Sequence, residues 1–200
     1  MKVLCIDTET GGLDPDKHSI LSIAAIVGDL DTGEKFETFY TLVKLPSYNV
    51  TPKAMEINKL NVDECQKNGM LPEAIADKLM DLWTIHGCSI IAGHNVTFDK
   101  SMLASQIFNC SLSEFESNFT YRILDSITMS MLFAGTEAKS GNSLKQLCEA
   151  WGIKSNNPNY HNALYDTDIC FDLLSKFRRI VFKNPELIRD LQNENSGKIL

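Results

Sequence analysis

Lys2-Val3-Leu4-Cys5-Ile6-Asp7-Thr8-Glu9-Thr10-Gly11-Gly12-Leu13 is an apolar run that ends in two acids and a glycine pair. The unbroken apolar segment Val3 to Ile6 predicts a strand buried on both faces, and Gly11-Gly12 with Asp14-Pro15 marks the turn that follows it. The acids therefore fall at the strand's C-terminal end. Side chains two apart on a strand share a face, so Asp7 and Glu9 can offer both carboxylates to one point while Thr8 is expected to turn away. That arrangement suits a shared cation, although such pairs also cap turns, and the stretch alone leaves both readings open.

Working outward, Ile20 to Val27 and Lys35 to Val43 read as two further strands separated by the turn Asp31-Thr32-Gly33, which makes an antiparallel meander. Thr51-Pro52 opens a short helix, with Glu56 assigned to its first turn, and Leu71-Pro72-Glu73 opens a longer one carrying Ile75, Leu79, Leu82 and Trp83 at helical spacing. Ser89 to Ala92 predicts another strand. It leads through Gly93-His94-Asn95 into a helix with Phe98, Met102, Leu103 and Ile107 on one stripe and Asp99 in its first turns.

An apolar segment Tyr121 to Leu124 runs into Asp125-Ser126, and helical patterns follow at Ile127 to Phe133 and from Ser143 to near Gly152. Gly152 to Asn162 reads as a loop, and Ala163 to about Phe182 as a long amphipathic helix with His161 just before it and Asp166 on its first turn. A meander followed by alternating strands and helices implies a mixed sheet flanked by helices, the α/β class. The expected organisation is one domain over residues 1–183, followed by a C-terminal extension, 184–200, with room for a short helix after Asn184-Pro185 and a polar tail.

The chain's 200 residues are 44% hydrophobic, which suits one domain with a sizeable core. A net charge of -7 argues against coating long nucleic acid, because that mode needs many Lys and Arg to displace counterions. An enzyme that grips only a chain end, meeting phosphates through bound cations, is compatible with it. Six cysteines without CxxC or zinc spacing fit reduced thiols and a cytoplasmic location, and no apolar span is long enough to enter a membrane.

Three motifs in order, Asp7-Thr8-Glu9, Asn95-x-x-Phe98-Asp99 and His161-x4-Asp166, resemble the exonuclease motifs of the DnaQ-like family, in its DEDDh class of 3′-to-5′ exonucleases. The resemblance runs from about residue 2 to residue 178, and His161, with Asn162 where a sister class carries Tyr, places the chain in the h subclass. It is reinforced by Ala54-Met55-Glu56-Ile57-Asn58, similar to the family's terminal-nucleotide segment. Leu144-x-x-Leu147 before Trp151-Gly152-Ile153 is similar to the helix that precedes the third motif.

The resemblance implies a ribonuclease H-like fold with a central five-stranded mixed sheet. It also implies a two-metal site in which Asp7, Glu9, Asp99 and Asp166 hold two divalent cations, Mg²⁺ or Mn²⁺, and His161 acts as general base. Four carboxylates crowded together would otherwise repel one another, and hard oxygen donors without Cys suit those ions. The implied partner is the 3′ end of single-stranded nucleic acid, with DNA favoured, 5′ mononucleotides as product, and RNA trimming as the alternative. A non-catalytic end-binding subunit is the reading from another class. Homodimeric and polymerase-associated states stay open.

Thr10, Gly11, Leu13, Ile57, Asn95 and Phe98 are the expected substrate contacts. For Leu13 and Ile57 a wedge against the last bases competes with simple core packing, and for Phe98 core packing is the stronger reading. Asn95 is expected to orient the turn that presents Asp99, and Gly11-Gly12 to let backbone approach the nucleotide. His94 reads as structural, and Asp168 as a decoy whose spacing from His161 is wrong. Lys176, Arg178, Arg179 and Lys183 read as a solvated helix end.

Overall fold

A computed structural model of the chain describes residues 1–133, 143–153, 161–184 and 186. Five strands, β1 (Lys2–Thr10), β2 (Ile20–Asp29), β3 (Glu34–Leu42), β4 (Ile90–Gly93) and β5 (Ile123–Asp125), form one sheet in the order β3-β2-β1-β4-β5. The meander is present as β1, β2 and β3 paired antiparallel, while β4 joins β1 and β5 joins β4 in parallel. β1 is thus the central strand, as its apolar run requires. The opening acids sit beyond the last pair with β4, at Cys5, while β1 is still paired with β2, and next to a register irregularity between Glu9 and Thr10.

Alternation along β1 divides the core in two. Leu4 and Ile6 face one apolar cluster, shared with Ile75, Leu79 and Leu82 of α3 (Pro72–His86) and with Met102 and Leu103 of α4 (Val96–Gln106). Val3 and Cys5 face the other, shared with Leu144 and Leu147 of α7 (Leu144–Ala150) and with Phe171, Leu174 and Phe177 of α8 (Ala163–Phe182). Helices on both faces bury a strand with no polar side until residue 7, and the first residues that need another partner are the acids.

The helix ends follow their capping residues. Thr51 accepts the Ala54 N–H to start α1 (Pro52–Asn58), Ser143 and Gln146 form a reciprocal capping box at α7, and Asn162 accepts the Tyr165 N–H at α8. Glu56 lies beyond the first turn of α1, correcting its assignment there, because the helix begins at Pro52. Two seven-residue helices, α2 (Val62–Asn68) and α5 (Leu112–Asn118), are additions that periodicity did not reveal, and α6 (Ser126–Phe133) completes the set of described helices. The expected loop from Gly152 to Asn162 lies largely outside the described residues, and the extension from 184 almost wholly so. Among the described residues no helix is long and apolar enough to cross a membrane.

Candidate active site

Because α4 and α8 pack on opposite faces of the sheet, their first turns reach the end of β1 from two sides. Asp166 arrives on the first turn of α8, and one carboxylate oxygen each from Asp7, Glu9 and Asp166 lie within 4.8 Å of one another. Oδ2 of Asp166 accepts the backbone N–H of His161 at 2.9 Å, whereas Oδ1 is buried and has no hydrogen-bond partner among the described residues. An orphaned buried carboxylate oxygen among other carboxylates is costly unless a cation meets it.

Asp99 comes from the other face and stands beside this trio. Its Oδ1 accepts two hydrogen bonds, from the Thr8 backbone N–H at 2.9 Å and from the Thr8 hydroxyl at 2.7 Å. Thr8 therefore does not simply turn away. Its side chain points to the α4 face because Asp7 and Glu9 point to the α8 face, and it ties the second motif's acid to the first motif's backbone.

Electrostatics describe a site short of positive charge. Burial, then repulsion from Asp99, Glu9 and Asp166, holds the Asp7 carboxyl well above the usual range. Burial followed by Asp166 and Asp99 pushes Glu9 up to about 8. Burial lifts Asp99 to about 7 against the opposing Thr8 hydrogen bonds, and lifts Asp166 to about 6 against its bond from His161. These carboxyls favour the proton in the absence of a cation. Hard oxygen donors, crowded and partly unsatisfied, fit one or more divalent ions.

His161 takes a left-handed backbone with φ 67°, which lets its N–H turn back onto Asp166. The residue borders the same cavity, of about 370 Å³, as Asp7, Glu9, His94, Lys145 and Asp166. Within that wall His94 is fixed by a 2.7 Å hydrogen bond between Nδ1 and Ser126 Oγ, and burial lowers its pKa.

Asn95 also has a left-handed backbone, φ 59°, and caps α4 without a side-chain bond. Sequence reasoning missed the actual cap: Asp125 at the end of β5 accepts Val96 N–H and Ile127 N–H, both at 2.8 Å, and so anchors α4 and α6 together. An Asp just before a helical run was the available signal.

A second cavity, of about 540 Å³ with mostly apolar walls, adjoins the first at Glu9. Thr10, Leu13 and Ile57 line it, and Leu13 is 84% exposed and Ile57 44%, so neither is a core residue. Phe98 is half-buried against the α3/α4 cluster, and neither it nor Asn95 lines either cavity.

The glycine pair has a cause within the chain's own packing. A Cβ on Gly11 would lie 2.5 Å from the Asn49 carbonyl oxygen, and one on Gly12 would lie 2.5 Å from Cγ of the His18 ring. The chain's own packing requires both, and of the two only Gly12 reaches the cavity wall. Asp168 ion-pairs with Lys35 at 2.5 Å, away from the acid trio. The basic end of α8 is largely engaged locally, Arg178 with Asp31 and Lys176 with the Trp151 carbonyl.

Comparisons with known proteins give the chain a family and a fold. A family model described as Exonuclease matches residues 4–174. Ribonuclease T of Wigglesworthia glossinidia brevipalpis is 24% identical over 172 residues, covering 81% of this chain and 77% of that protein. Ribonuclease T of Blochmanniella pennsylvanica (strain BPEN) is 23% identical, covering 88% and 85%. Among solved structures, E. coli Exonuclease I in complex with a dT13 oligonucleotide superposes with a TM-score of 0.76 at 21% identity, over 95% of this chain and 43% of that one. Exonuclease I from Methylocaldum szegediense gives 0.72 at 21% identity, over 92% and 43%. The shared fold is clear, and this chain spans less than half the length of those solved chains.

Proposed function

The chain belongs to the exonuclease family, and from that membership we propose that it removes nucleotides from the 3′ end of single-stranded nucleic acid, releasing 5′ mononucleotides. The observation that carries this reading is the grouping of Asp7, Glu9 and Asp166 oxygens within 4.8 Å, with Asp166 Oδ1 buried and unpaired among the described residues. Asp7, Glu9 and Asp166 would hold one divalent cation, and Asp7 with Asp99 a second, Mg²⁺ or Mn²⁺ by the hardness of the donors. When bound, the ions supply Lewis acidity and the positive charge that an acidic site needs before a phosphodiester can approach.

The chain's own residues do the rest. Thr8 fixes Asp99 through two hydrogen bonds to one oxygen, so that carboxylate has one oxygen left to face the substrate side. His161 borders the acidic cavity and is held there by the bond between its backbone and Asp166, in position to accept a proton from an attacking water. The larger cavity beside Glu9 takes the terminal nucleotide, with Leu13 and Ile57 as exposed apolar contacts for its base or the next one. Six free cysteines suit a reducing, cytoplasmic setting.

DNA is one substrate reading, supported by the fold shared with Exonuclease I bound to oligonucleotides. RNA trimming is the second, favoured by the likeness to Ribonuclease T. Single-stranded DNA and RNA labelled at the 5′ end, incubated with Mg²⁺ or EDTA, test both. The expected result is a ladder that shortens from the 3′ end only with metal; immediate release of the labelled 5′ nucleotide, or cutting in EDTA, refutes the proposal.

A further inference from the structure

The polar side chains around the 540 Å³ cavity are mostly committed to the fold. Thr10 Oγ1 donates to the Gly12 carbonyl at 2.8 Å, Thr51 caps α1, and Asn58 donates to the Thr10 carbonyl while accepting the Leu60 N–H. Lys53 is on the wall too, but exposed on a long stem that fixes no direction. His18 differs from all of these.

Its imidazole lies flat enough on Gly12 that a Cβ there would meet Cγ at 2.5 Å, Cδ2 at 2.6 Å and Nδ1 at 2.7 Å. Nδ1 accepts the Asp14 backbone N–H at 3.0 Å. A ring nitrogen that accepts carries no proton, so the proton of that tautomer is on Nε2. Nε2 has no partner among the described residues, and His18 forms part of the cavity wall. The result is an N–H donor, held by Gly12 and Asp14 on the wall of a cavity whose other polar groups, Glu9 and the long-stemmed Lys53 apart, are already in use. Such cavities orient their ligands through a few placed polar groups of this kind.

Resting on the reading that this cavity receives the terminal nucleotide, we propose that His18 is a substrate-contact residue whose Nε2–H donates a hydrogen bond to an acceptor on that nucleotide's sugar or base edge. It positions the end of the chain beside Glu9 and takes no part in proton transfer. One hydrogen bond of this sort corresponds to about a three- to tenfold change in binding.

Two substitutions separate contact from scaffold. His18→Asn places an oxygen near Nδ1, keeping an acceptor for Asp14 and losing the donor at Nε2. His18→Gln places an amide N–H near Nε2 and loses the Asp14 contact. Initial rates on a 5′-labelled single strand are expected to show KM raised about three- to tenfold in His18→Asn with kcat within about twofold, and KM close to wild type in His18→Gln. Thermal stability should fall in the opposite order.

A KM effect equal in the two variants, or larger in His18→Gln, overturns the proposal and leaves His18 a purely structural prop. Repeating the comparison on strands with a 3′-terminal abasic residue assigns the acceptor: a persisting effect means the sugar, a vanishing one the base. Failure of the wild-type protein to shorten strands from the 3′ end would instead remove the functional reading itself.

Discussion

Replacing Thr8 by Val removes one hydroxyl and keeps the β-branched shape that suits the centre of the sheet. The lost bond is the 2.7 Å donation to Asp99 Oδ1, wholly buried, while the backbone donation at 2.9 Å stays. A hydrogen bond to a charged acceptor is worth about 1.5–3 kcal/mol, so without it Asp99 becomes about ten- to hundredfold harder to ionise. Burial has already raised that carboxyl to about 7, with the Thr8 bonds holding it down.

Asp99 acts as an anion in this account. The substitution should therefore raise the pH below which activity is lost and leave a deficit that narrows as pH rises. The Mg²⁺ concentration giving half-maximal rate should rise in the same variant. Thr8→Ser, which keeps the hydroxyl, should behave like wild type. Initial rates on a 5′-labelled strand, measured across pH and Mg²⁺, test this directly. An unchanged pH profile together with an unchanged Mg²⁺ requirement in Thr8→Val would refute the idea that this bond tunes Asp99.

Other consequences can be checked alongside. Glu9, Asp99 and Asp166 have folded-state pKa values of about 8, 7 and 6, above their usual range; the native state thus holds protons that the unfolded chain has released. That contribution to stability is complete below about pH 4 and is lost as pH rises through roughly 6 to 8. In EDTA, melting temperature should drop by several degrees between pH 5 and 9, and added Mg²⁺ should restore it, since about 1 kcal/mol moves Tm by ~2–4 °C in a domain of this size. A flat pH profile in EDTA would count against the crowded-carboxylate picture. Asp7→Asn should reduce the exonuclease rate at least about a thousandfold and yet weaken the fall of the metal-free melting temperature with rising pH, because it removes a buried carboxyl whose ionisation burial and three neighbouring acids oppose; a pH dependence as steep as that of the wild type would contradict that. Leu13→Ala and Ile57→Ala, at exposed positions, should leave stability within about 0.5 kcal/mol while raising KM several-fold, and unchanged KM in both would remove them from the substrate path.

What could be read in advance was whatever the sequence expresses locally. α8 was legible from its apolar stripe and from Asn162 before it, and the expected span of Ala163 to Phe182 coincides with the helix found. β1 was legible because four apolar residues in a row suit only a strand covered on both faces. α2 was not, since seven residues burying a single Cys65 show no period, and α5 was overlooked although Ser111 and Glu114 form a capping box. The three motifs were visible as letters. What the letters could not show was that α4 and α8 approach from opposite faces, so that Thr8, expected to turn away from Asp7 and Glu9, does so onto Asp99 and holds it. Close packing was equally invisible, and the letters did not show that Asn49 and His18 occupy the space beside Gly11 and Gly12.

The proposed function stands or falls with four carboxylates, brought to the end of β1 from both faces of the sheet, holding the ions on which activity depends. An anomalous difference map from crystals soaked in Mn²⁺ would locate those ions. Two peaks are expected that share Asp7 as a ligand, one also bounded by Glu9 and Asp166 and the other on the Asp99 side. Peaks confined to surface carboxylates, with none beside Asp7, would contradict it.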